Sequence, residues 1–173
     1  MITIQRPGQS NLEVEFILID FEGTLASDRR VHPKAKDKIN LLSKRTKIYI
    51  FVNPPVPPFN KGGEGGILTK EEKERVEETL RKIKAEIVYL TEGEASQKKS
   101  DLLRQLGQAK TVAIGNGADD VAMIEEAGFG ICVLGKEGTF SEAMKKADVV
   151  FLNILDALDF LLRPLRQKAT LGK

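Results

Sequence analysis

The chain of 173 residues contains no tryptophan, one cysteine and one histidine. A lone Cys132 excludes an intramolecular disulfide and a cysteine-ligated zinc site, and its place in the apolar run Ile131–Leu134 assigns it to a core. A lone His32, followed by Pro33 in a loop, cannot build a histidine-rich metal site, and no serine motif accompanies it for a Ser-His-Asp triad. Neither sign of charge dominates. The 27 Lys and Arg face 25 Asp and Glu, a net charge of +2, which provides neither a nucleic-acid surface nor a polybasic membrane patch. Long hydrophobic runs are also missing: the run Phe16–Ile19 stops at Asp20, and no basic-led signal region precedes it. The expectation is a soluble, cytoplasmic chain with no membrane span. What is present, 41% hydrophobic and 30% charged residues, suffices to bury about 70% of the extended surface in one globular domain, residues 1–173.

Short β-branched runs alternate with amphipathic stretches, the pattern of an open, mainly parallel sheet with helices on both faces. Val14–Ile19, Lys47–Val52, Glu86–Leu90, Thr111–Ile114, Gly130–Leu134 and Asp148–Phe151 read as strands. Most lack in-out alternation, as expected for strands covered on both sides. Pro33 suits a first helical position ahead of Lys34–Ser43, and Thr69-x-x-Glu72 is a capping box for a helix carrying Val76, Leu80 and Ile83 on one face. Further helices are expected over Gln97–Leu106, Asp120–Ala127, Phe140–Lys146 and Ile154–Leu162, the last stopped by Pro164. Ile2–Gln5 suits an N-terminal edge hairpin through Pro7-Gly8. Residues 53–66 hold four of the seven prolines and four of the fifteen glycines. Such a segment forms no regular element and reads as an inserted, flexible surface loop.

In open α/β sheets the site lies beyond the carboxyl ends of the strands, so the polar residues there carry the functional expectation. Asp20 ends the most apolar strand, with Glu22 two residues on. Two acids on one side of an extended chain repel each other, and a hard divalent cation removes that repulsion. Gly23 permits a tight turn and Thr24 offers a hydroxyl to an oxyanion. Asn116, Asp119 and Asp120, behind another strand, exceed what a helix cap requires. Lys99 near a helix start, behind a capping Ser96, calls for a neutralising anion such as phosphate. Thr69 is explained by its capping box, and its hydroxyl could also face a phosphate.

Together and in this order, Asp20-x-Glu22-Gly23-Thr24, Thr69, Lys99 and Gly115-Asn116-Gly117-x-Asp119-Asp120 resemble the four motifs of the haloacid dehalogenase-like (HAD) phosphohydrolase superfamily. The loop around Asn116 and the tail Ile154-Leu155-Asp156-Ala157-Leu158-Asp159 are similar to those of small soluble P-type ATPase-like proteins. The resemblance implies a capless Rossmann-like fold and a Mg²⁺-dependent phosphohydrolase working through a phospho-aspartate on Asp20. By it, Glu22 is the general acid/base, Thr69 and Lys99 bind and neutralise the phosphoryl group with Gly23, Thr24 and Asn116, and Asp20, Glu22, Asp119 and Asp120 hold Mg²⁺. It further implies a phosphorylated small molecule or nucleotide as substrate, with a phosphoprotein as the alternative for so open a site, and a homo-oligomer if a neighbouring subunit supplies the lid.

Glu22 stands where superfamily phosphatases carry Asp, and Asn116 where many carry the first metal-loop Asp. Both departures favour a second reading, a catalytically impaired phosphate-binding or regulatory module of the same fold. A receiver-type signalling domain is a third. It is disfavoured because receivers place paired acids on the first strand and the acceptor Asp on the third, whereas here the third core strand ends at Leu90.

Overall fold

The computed structural model describes residues 1–6, 8, 10–54 and 68–172. Strands β1 (Ile2–Ile4) and β2 (Leu12–Val14) pair antiparallel, Ile2 opposite Val14, as the expected N-terminal hairpin. Each presents two buried aliphatic residues around one exposed residue, the period-2 pattern of a strand with one covered face. The chain then enters β3 (Phe16–Asp20), followed by a two-residue hairpin of β4 (Ala26–Ser27) and β5 (Arg30–Val31). Helix α1 (Pro33–Leu42) opens with its proline at the first turn, and His32 caps it by accepting the Lys34 N–H at Nδ1, 3.1 Å. The single histidine is thus structural.

The remaining elements are β6 (Lys47–Val52), α2 (Lys70–Leu80), β7 (Glu86–Tyr89), α3 (Ala95–Leu106), β8 (Thr111–Gly115), α4 (Val121–Glu126), β9 (Phe129–Val133), α5 (Ser141–Lys146), β10 (Val149–Phe151), α6 (Ile154–Leu162) and α7 (Pro164–Leu171). The capping box predicted at Thr69 and Glu72 is present in both directions. Pro164 stops α6 as expected, but it also starts α7. A proline is tolerated in the first helical turn, where its missing N–H has no intrahelical partner to lose. The predicted strand from Val14 begins instead at Phe16, because Val14 belongs to the hairpin. Of the proline- and glycine-rich segment 53–66, Asn53 and Pro54 are described; the rest lies outside the described residues, as does Pro7 of the hairpin turn.

Six strands form one parallel sheet in the order β10-β9-β8-β3-β6-β7. Ile17, Ile19 and Phe21 face a cluster with Ile39, Leu42, Leu158 and Phe160, while Leu18 faces Phe51, Leu103 and Met123 on the other side. Covering both faces explains the unbroken apolar run of β3, each such side chain contributing about 1.5–3 kcal/mol on burial. Gln167 of α7 ties the hairpin to the body, accepting the Gln5 N–H and donating to Phe160 O, both at 3.0 Å. The Cys132 side chain is buried, against Thr139. Among the described residues no helix is long and apolar enough to cross a membrane.

The chain runs from β3 outward through β6 to β7, then returns across the sheet to β8 on the other side of β3. Connections diverge at that point and open a crevice beyond the carboxyl ends of β3 and β8, the place where open α/β sheets bind ligands.

Candidate active site

Asp20 stands at this crevice and is 2% exposed. Lys99 reaches it from the second turn of α3, fully buried, with the Phe51 ring 6.0 Å from its ammonium. That ammonium donates to Asp20 Oδ1 at 2.8 Å, Asp119 Oδ2 at 2.8 Å and Asp120 Oδ1 at 2.7 Å. The helix begins at Ala95, with Glu94 in the cap position and no side-chain cap bond, so Ser96 lies inside the first turn rather than capping it. Lys99 is balanced by carboxylates across the crevice.

Three buried or half-buried acids share a single ammonium, and their titration reflects the imbalance. Burial and the nearby Asp120 charge push the Asp20 carboxyl well up, against the pull of Lys99. Burial likewise raises Asp120. Asp119 is also penalised by burial, but the Lys99 charge and the Lys99 and Asn53 hydrogen bonds outweigh that penalty and hold it low. Burial works against the charged form of Lys99, yet Asp120, Asp20 and Asp119 keep its pKa above the usual lysine value. Oxygen atoms of Asp20, Asp119 and Asp120 lie within 4.8 Å of one another. An all-oxygen set with surplus negative charge suits a hard divalent cation, so the residues fit the metal that the sequence implies.

The acids are not equivalent. Asp120 Oδ2 accepts the Asn116 and Gly117 N–H groups, each at 2.9 Å, and so braces the loop after β8. Gly115 is required beneath it, because a Cβ there would sit 2.4 Å from Asp120 Cγ. Asp20 Oδ2 and Asp119 Oδ1 lie outside the Lys99 contacts.

Asn116 accepts the Thr24 hydroxyl at 3.1 Å and donates to Gly138 O at 3.2 Å, joining three loops. Two of the residues expected to meet phosphate, Thr24 and Asn116, therefore meet each other. Gly23 adopts φ 73°, and a Cβ there would fall 2.6 Å from Asn116 Nδ2. Glu22 Oε2 accepts the Asn53 N–H at 3.1 Å, while Glu22 Oε1 is buried without a partner among the described residues. Burial raises the Glu22 carboxyl to about 7, against the lowering effect of the Asn53 bond.

Asn53 is the residue that sequence reasoning missed. Besides holding Glu22, its side chain donates to Asp119 Oδ2 at 3.1 Å. The signal was available, a polar residue immediately after β6, the strand beside β3. Thr69 is instead exposed at the start of α2, where its hydroxyl accepts the Glu72 N–H at 3.2 Å. A cavity of about 620 Å³ opens beside the carboxylates rather than over them, behind Gly23 and Thr24, with Leu25, Val31, Leu152 and Ile154 in its wall.

Solved structures share this architecture. The 3-deoxy-D-manno-octulosonate 8-phosphate phosphatase of Moraxella catarrhalis, in complex with magnesium, phosphate and KDO, aligns with a TM-score of 0.61 at 13% identity, over 91% of this chain and 89% of that one. The cobalt-bound phosphatase of the same name from Haemophilus influenzae aligns with a TM-score of 0.63 at 13% identity, over 93% and 94%. A HAD-family protein of Streptomyces avermitilis gives 0.62 at 16% identity, over 88% and 87%. The fold is that of the haloacid dehalogenase-like hydrolases. No family model matches the chain. It is 43% identical over 70 residues to the uncharacterised protein MJ0073 of Methanocaldococcus jannaschii, which spans 40% of this chain and 75% of that protein, and it belongs to the family of that archaeal protein.

Proposed function

We propose that the chain is a phosphohydrolase that transfers a phosphoryl group from a phosphorylated small molecule to Asp20 and then to water. The observation that carries this reading is the position of Asp20: buried at the carboxyl end of the central strand, at the divergence of the connections, with Lys99 on one carboxylate oxygen. The other oxygen attacks phosphorus as the bond to the leaving oxygen breaks. Glu22, whose carboxyl is raised to about 7, gives its proton to that oxygen, and the resulting carboxylate takes one from the water that cleaves the aspartyl phosphate. Lys99 pairs with the phosphoryl oxygens as charge builds on them. Asp20 and Asp119, supported by Glu22 and Asp120, would hold Mg²⁺, which supplies further positive charge against those oxygens. The Asn53 amide at the end of β6 is one candidate for binding the phosphoryl oxygens, and Thr69 is the candidate for a phosphate-binding hydroxyl. The nucleotide substrates of a soluble P-type ATPase-like protein, a phosphoprotein and a homo-oligomeric lid belong to the finer form of this proposal.

Phosphate release from p-nitrophenyl phosphate with Mg²⁺ tests it. Wild type should turn over and Asp20→Asn should not; equal release from both removes Asp20 as nucleophile. The impaired-module reading is favoured by Asn116, whose amide is engaged at both ends. Under that reading Mg²⁺ with beryllium fluoride, a mimic of aspartyl phosphate, raises the melting temperature of wild type without any turnover.

A further inference from the structure

The hairpin of β4 and β5 carries an unusual turn. Its two loop residues, Asp28 and Arg29, have φ 50° and 58°, and a two-residue turn of this kind normally takes Asn-Gly or Asp-Gly. Asp tolerates the left-handed region; a long arginine is strained there, and glycine would relieve the strain. Retained strain at a surface turn points to a use for the side chain.

That side chain faces a cavity of about 450 Å³ between the hairpin and α2, lined by Phe21, Asp28, Arg29, Arg30, Arg75, Val76 and Thr79. Three arginines line it against one carboxylate, Asp28. Among the described residues the arginines in ion pairs are Arg81, Arg104, Arg163 and Arg166; the cavity's three are not among them. Phe21 in its wall follows Asp20 directly at the carboxyl end of β3, while Asp20, Glu22 and Lys99 do not themselves line the cavity. Arg29 lines it from the hairpin turn, opposite Arg75, Val76 and Thr79 of α2. With Arg75 it also adds to the Thr69 N–H bond in holding Glu72 low. Arg29 therefore stands between the hairpin turn and the start of α2.

We infer that this arginine-lined cavity binds a second anionic group of the substrate, so that the preferred substrate is a small phosphate ester bearing another carboxylate or phosphoryl group. The inference rests on the phosphohydrolase reading for the place of the first phosphate. Arginine forks match the paired oxygens of either anion, and a second ion pair held away from the reacting bond discriminates between substrates without taking part in the chemistry.

Calorimetric titration of full-length Asp20→Asn protein with Mg²⁺ tests it, using three probes: glycerol 3-phosphate, 3-phosphoglycerate and 2,3-bisphosphoglycerate. The expected result is about tenfold or greater preference for a probe with a second anion, falling to within about twofold when Arg29→Gly and Arg75→Gln are added. Whichever of the last two probes gains more identifies the second anion as carboxylate or phosphoryl. Arg29→Gly keeps the turn accessible to the backbone, and melting curves of the variants confirm folding. Equal affinity for all three probes, a preference that survives the arginine changes, or no binding at all overturns the inference. Stabilisation of wild type by Mg²⁺ with beryllium fluoride is measured alongside. If it occurs without any anion preference, the phosphoryl-transfer reading stands and this inference falls. If it fails while an arginine-dependent preference persists, the phosphoryl-transfer reading falls and the anion site remains.

Discussion

Lys99 Nζ lies 2.8 Å from Asp20 Oδ1, a buried ion pair between residues 79 positions apart. The same ammonium also serves Asp119 and Asp120, so its removal leaves carboxylates packed together without a counter-charge. Lys99→Met should cost about 3–5 kcal/mol. That corresponds to a fall in melting temperature of roughly 6–20 °C for a chain of this size. Mg²⁺ should restore stability to this variant by more than it stabilises wild type, because the cation takes over the lost charge. A variant as stable as wild type in chelator would contradict the ion-pair account.

Glu22 makes stability depend on pH. Its folded-state pKa of about 7 lies above the ordinary 4.5, so the folded state binds the proton more tightly than the unfolded chain. The contribution is fully present below pH about 4.5 and is lost as pH rises through about 7. The loss is roughly 2 kcal/mol after allowing for partial exposure of the group. Glu22→Gln should flatten this slope in chelator, gaining stability relative to wild type at pH 8 but not at pH 4. Urea denaturation at the two pH values measures it, and parallel curves would remove Glu22 as the source.

Asp119 and Asp120 should separate in experiment. Asp120→Ala abandons two backbone N–H groups and should cost about 2 kcal/mol net of the relieved repulsion. Asp119, 32% exposed at its side chain, should cost under about 1 kcal/mol as Asp119→Ala while weakening Mg²⁺ binding about tenfold or more. Denaturation paired with magnesium titration reads both quantities; the opposite ranking would reassign the loop brace.

Gly23→Ala combines a left-handed backbone with a Cβ placed 2.6 Å from Asn116 Nδ2. The expected cost is about 2–4 kcal/mol. Gly8, at φ 81° with nothing within 4 Å of a Cβ, supplies the control, since Gly8→Ala carries only the backbone penalty of about 1 kcal/mol. Similar costs at the two positions would show that the contact with Asn116 yields easily.

The strands were legible because burial on both faces writes a continuous apolar run into the sequence, as in Ile17, Leu18 and Ile19. The caps were legible because they are local: Thr69 and Glu72 bond across a single turn. Helix α7 was hidden because Pro164 reads as a terminator, and its role as an initiator depends on α7 docking through Gln167 against Gln5. Asn53 was hidden by the composition of the segment it opens, although strand-end logic applied to it as much as to Asp20.

Sequence alone determined the strand-ending Asp20, the lysine on a helix and the paired acids of the following loop, because hydrophobic period and turn chemistry are local properties of the chain. Tertiary structure alone decided how those residues share their charges. The order of strands brings β6 and β8 to either side of β3, and only that adjacency places Lys99 among three carboxylates, brings Asn53 to Glu22 and Asp119, and locks Asn116 onto Thr24. Such contacts span 20 to 92 residues of chain, a separation across which sequence periodicity carries no signal.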